Sequence, residues 1–137
     1  MRIIRFGAVV SAVLFLGVFL VGCATKDAAA ETVMTELDSL TTDMVKEIEA
    51  SPNDAGIDRA LKLVTERQDK IKAAVKDLKA GLVSDEVKAK YDASVDASFK
   101  KFVVLGEKRQ NELFSDEKLG DRFISMIDEL KKLFTGE

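Results

Sequence analysis

The chain has 137 residues, the length of one domain, with 33% of them charged, 47% hydrophobic, a single proline and no tryptophan. So few turn formers argue against an all-β fold, and a net charge of −3 argues against a basic nucleic-acid surface. There is no histidine and one cysteine, Cys23, which removes disulfides, Cys/His zinc sites and the usual histidine-assisted nucleophiles from consideration.

Residues 1–22 read as a targeting segment. Arg2 and Arg5 form a short positive start, and Phe6 to Val21 form an apolar run broken only by small residues. Leu20-Val21-Gly22-Cys23 follows at the end of that run. These four residues, in this position, resemble the lipobox of bacterial lipoproteins. The resemblance covers the leader and its junction and does not extend into the domain. It implies a diacylglyceryl thioether on Cys23, cleavage between Gly22 and Cys23, and N-acylation of the new terminus. Two or more acyl chains give stable attachment to a bilayer, at about 0.8 kcal/mol per buried methylene. The residue after the cysteine is Ala24 rather than Asp, which in the enterobacterial sorting pattern implies the periplasmic face of the outer membrane. An uncleaved anchor helix is the alternative reading of the same apolar run. Removing the leader leaves 19 Lys and Arg against 24 Asp and Glu, a balance of −5.

The expected organisation is a lipidated cysteine with a short tether over residues 23–27, then a helical domain over 28–137. The first helix is expected from about Ala28 to Ala50, with Val33, Leu37, Leu40, Met44 and Ile48 spaced as one stripe. Ser51-Pro52-Asn53-Asp54 is the clearest break. Ser51 is expected to cap the second helix, with Pro52 in its first position.

That helix should reach about Ala80, with Gly81 as its stop. Its stripe of Ile57, Leu61, Val64, Gln68, Ile71, Val75 and Leu78 alternates steps of four and three. Gln68 either specifies register or lies at the stripe's edge.

Ser84-Asp85-Glu86 should start a third helix, with a capping hydroxyl and acids in its first turn. Its stripe runs through Val87, Tyr91, Val95, Phe99, Phe102 and Leu105, and the apolar face widens to include Val103 and Val104. Ser115-Asp116-Glu117 repeats the start signal for a fourth helix, with Phe114 placed to staple against Leu119. No Gly or Pro forces a turn before it, so residues 84–134 form either two helices or one bent helix. Four such helices with short links predict an all-α, antiparallel up-and-down bundle.

No catalytic or metal-binding residues emerge. The acid pairs Asp85/Glu86 and Asp116/Glu117 sit at helix starts, where negative charge is stabilising. The expected function is therefore non-enzymatic, with no cofactor beyond the lipid on Cys23. The candidate partner surface is Phe99, Phe102, Val103 and Leu105, either buried by flanking helices or open to a partner helix from another envelope protein. In size, lipidation and helical class the chain is similar to secretin pilotins, small lipoproteins that hold a partner helix in a groove. Some of those carry a disulfide that this chain lacks. A small apolar ligand held in the bundle core is the remaining alternative.

Overall fold

A computed structural model describes residues 26–137, and the cleavage and lipidation positions Gly22 and Cys23 lie outside them. The described residues form four long helices and one short one: α1 Asp27–Ala50, α2 Asp54–Lys79, α3 Asp85–Lys108, α4 Gln110–Leu113 and α5 Glu117–Thr135. The fold is all-α, and no helix among the described residues is long and apolar enough to cross a membrane.

α1 forms where its stripe predicts. Val33, Leu37, Leu40, Met44 and Ile48 are all fully buried. Each such side chain contributes about 1.5–3 kcal/mol of burial, which the helix alone could not supply. Thr41 lies in the same buried face, and its hydroxyl donates back to the Leu37 carbonyl at 2.8 Å, so no polar group is stranded.

The α1–α2 break differs in detail from expectation. Asn53, not Ser51, caps α2, and Pro52 lies outside the helix. The extended Asn53 backbone lets its side-chain oxygen accept from the amides of Ala55 at 3.0 Å and Gly56 at 3.4 Å. Ser51 belongs to the end of α1, its amide donating to the Glu47 carbonyl. The Ser51 carbonyl then lies so close to Gly56 that a Cβ there would sit 1.9 Å from its oxygen. At the other end of α2, Gly81 does not take a left-handed conformation; the one positive φ among the described residues belongs to Gly136, which closes α5.

α3 begins as expected, with Ser84 accepting from the Val87 amide. It ends at Lys108, and α4 makes a single turn before α5, so residues 84–134 are two long helices rather than one. Leu113 of α4 is fully buried. Asp116, not Ser115, caps α5 by accepting from the Lys118 amide, while the Ser115 hydroxyl donates back to the Glu112 carbonyl.

Chain direction alternates, but consecutive helices are not always neighbours. Polar pairs along each seam give the order. α1 and α2 run antiparallel, joined by Lys26–Asp77, Glu36–Lys70, Asp43–Arg67 and Glu47–Arg59. α3 lies parallel to α1, joined by Asp27–Ser84, Asp38–Lys101 and Glu49–Lys108. α5 lies parallel to α2, with Arg122 against Asp54 and Asp58 at one end and Lys79 donating to the Gly136 carbonyl at the other. The spatial order is therefore α3, α1, α2, α5. The α2–α3 link passes under the start of α1, where the Lys26 amide donates to the Leu82 carbonyl.

Candidate functional site

This order leaves α3 and α5 to face each other across the one remaining seam, and they close only part of it. They meet through aromatic rings. Phe102 of α3 stands edge-on to Phe123 of α5 at 6.5 Å, and Phe114 stands edge-on to Phe123 at 6.0 Å. Gly120 makes this contact possible: a Cβ there would come within 2.9 Å of the Phe114 ring, whereas one at Gly106 would meet Phe123 in ordinary contact at 3.5 Å. Phe114 thus lies over Gly120 and Phe123, and it remains exposed on its outer side.

Past that contact the two helices flank a groove of about 940 Å³. Tyr91, Val95 and Phe99 of α3 form one wall, Ile127 and Phe134 of α5 form the other, and Val75 and Leu78 of α2 form the floor. A shallower extension of about 460 Å³ continues along Val103, Gly106, Phe114 and Phe123, sharing Phe102, Val103 and Ile127 with the first. Asp92 and Asp96 on one rim face Asp128 and Lys131 on the other. Among the described residues no ion pair joins α3 to α5, whereas each other seam has at least two.

Tyr91 reports the groove's character. Its phenol is half-buried, and desolvation, with a smaller contribution from the nearby Asp92 charge, raises its pKa above the ordinary value near 10. A neutral phenol suits an apolar wall with a wet rim.

The four residues expected to form a partner surface are not brought together as one face. Phe102 and Leu105 are buried at 1% and 2% exposure, Phe99 is half-buried, and Val103 is 59% exposed. Leu105 belongs to the core and takes no part in the groove. Phe102 forms its inner edge, and Phe99 and Val103 are the accessible pair. Ile127, Phe134, Val75 and Leu78 complete the site, and of these Val75 and Leu78 stood in the sequence only as stripe positions. What marks them as groove residues is which helix they face, and spacing does not carry that.

Other expectations resolve locally. Gln68 is half-buried and accepts from Lys72, which puts it at the stripe's edge. Glu86 and Lys90 form an intrahelical pair, while Lys70 pairs with Glu36 on α1. Among the described residues no cluster of three metal-ligating side chains occurs. No protein-family model, no curated protein and no solved structure matches the chain.

Proposed function

We propose that this is a bacterial envelope lipoprotein, anchored through acyl chains on Cys23, whose bundle is a non-enzymatic binding module for another envelope protein. The open α3–α5 seam carries this reading. Its α3 wall is apolar at successive turns, with Val95, Phe99 and Phe102 spaced at i, i+4 and i+7. That is the pattern by which a groove receives the apolar face of a partner helix. The charged rims would set the partner's orientation rather than its affinity. The lipobox-like Leu20-Val21-Gly22-Cys23 supports the anchor, and Ala24 supports placement at the outer membrane's periplasmic face. With the tether from Cys23 to Lys26 so short, the bundle works close to the bilayer.

Two experiments test this. A photo-crosslinking residue at Phe99 or Val103 should yield a discrete adduct with one envelope protein in intact cells, and one at Lys62 should not. Equal adducts from both faces, or none from the groove, would refute the binding role. Replacing Cys23 with Ser should abolish acylation and leave an unprocessed precursor that still carries the apolar leader. A variant still processed and membrane-bound would refute the anchor.

A further inference from the structure

We infer that the groove between α3 and α5 takes a basic amphipathic helix: a partner segment apolar at successive turns and edged with lysine or arginine. This inference rests on the helix-binding reading above and names the chemistry of the partner. The rims carry it. Asp92 and Asp96 of α3 and Asp128 of α5 line the main groove, and Glu107 lines its extension, against two lining cations, Lys79 and Lys131. All four acids are exposed, and among the described residues none of them forms an ion pair. Lys88 and Lys100 stand one turn beyond Asp92 and Asp96 on α3 and pair with neither. Lys79 is already engaged with the Gly136 carbonyl. The closed seams are the reverse: Glu36, Asp38, Asp43, Glu47 and Glu49 of α1 each meet a cation of a neighbouring helix. The α3–α5 seam holds the acids of such a seam without the cations, and a basic helix supplies them.

Charge also decides between occupants. A second copy of this chain seated by the same face would set acidic rim against acidic rim, because a two-fold interface pairs a patch with itself. A fatty acid or an anionic headgroup would bring one more anion to those rims. A helix edged with cations meets the unpaired carboxylates while its apolar face meets Val95, Phe99 and Ile127. Size agrees. From Tyr91 to Glu107 the lining runs about 24 Å along α3, at about 1.5 Å per residue, so the matching segment has four to five turns. The exposed side chains of Val103 and Phe114 continue the apolar path beyond the Phe102–Phe123 contact. The walls hold the partner, and the rims select it by charge and speed its encounter.

The test uses the full chain in nanodiscs of zwitterionic phosphatidylcholine, with binding to empty nanodiscs subtracted. Two fluorescein-labelled peptides of about 18 residues, long enough for five helical turns, are titrated by anisotropy. Both carry leucine at i, i+4, i+7 and i+11 and alanine elsewhere, except that the positions flanking the stripe are lysine in one and glutamate in the other. The lysine peptide should bind about tenfold more tightly at low salt, with the gap narrowing at high salt. Asp92→Asn with Asp96→Asn should narrow the gap to about threefold, and Asp92→Lys with Asp96→Lys should reverse it, with the helical circular dichroism unchanged. Glu31→Lys with Asp69→Lys, at exposed acids of α1 and α2, makes the same change in net charge and should leave the preference in place. Val95→Gln, in the groove wall, should weaken both peptides. Equal binding of the two peptides overturns the inference and leaves a groove that receives helices of either charge. A preference that the Glu31 and Asp69 changes shift as far as the Asp92 and Asp96 changes do overturns it as well. Binding of neither peptide also overturns it, and crosslinking from Phe99 in cells, which does not depend on the partner's charge, then decides the binding role separately.

Discussion

The seams made by α1 and the seam between α3 and α5 use the same residue types, yet one set is closed and the other is open. Along α1, five stripe residues are fully buried, and ion pairs tie the helix to α2 on one side and α3 on the other. Across the α3–α5 seam, Tyr91, Val95, Phe99 and Ile127 remain half-buried, and contact depends on the rings of Phe102 and Phe123. The difference lies in position. α1 and α2 occupy the middle of the order α3, α1, α2, α5, so each is covered by two neighbours. α3 and α5 are terminal in that order, and each turns part of its apolar face toward a partner it barely reaches. Stability should therefore reside in α1 and α2, while α3 and α5 supply the recognition surface.

Core truncation tests that division most severely. Leu40→Ala should cost about 3 kcal/mol, because Leu40 is fully buried where little can collapse into the vacated space. Phe99→Ala removes a larger side chain but should cost only about 1 kcal/mol, because one side of it already faces the groove. Urea denaturation of both variants decides the point; equal losses would show that the α3–α5 seam bears as much of the stability as α1. Gly56→Ala comes next, at about 2 kcal/mol, since the added methyl would meet the Ser51 carbonyl at the closest approach of the α1–α2 link. A Gly56→Ala variant with a parental urea midpoint would mean that the link relaxes freely.

How far the sequence anticipated this arrangement follows from the same contrast. The α1 stripe was legible because a helix covered on two sides must be apolar at every turn of that face. The α3 start was legible because a Ser followed by two acids satisfies amides locally. The spatial order was not, since a stripe marks which face is buried and says nothing of which helix buries it. Val103 and Val104 widened the apparent apolar face of α3, yet at 59% and 52% exposure they face solvent. Ser51 and Ser115 misled in the same way: a carboxamide or carboxylate acceptor one or two residues further on, Asn53 or Asp116, took the capping role. The groove is a property of two helices failing to meet, and neither helix records it alone.

Smaller effects sharpen the comparison. Arg122 joins α5 to α2 by bridging Asp54 and Asp58 on the outer surface. Arg122→Ala should lower the thermal midpoint slightly at low salt and not at all at high salt, where exposed pairs are screened. A loss that persists in high salt would show that α5 is held by this residue's packing rather than by charge.

The smallest effect belongs to Tyr91, the chain's single tyrosine, and it reads the groove directly. Burial, with a lesser contribution from Asp92, raises its pKa in the folded protein above the ordinary value near 10. The neutral phenol is therefore favoured by the fold, and its contribution to stability is complete below pH 10 and is lost as pH rises through the folded-state value. Anything apolar that fills the groove removes more water from the phenol and should raise the ultraviolet titration midpoint further. Val95→Arg brings a cation to the same wall, favours the phenolate and should lower it. A midpoint that responds to neither change would place the phenol in bulk solvent, away from the groove wall that the comparison assigns to it.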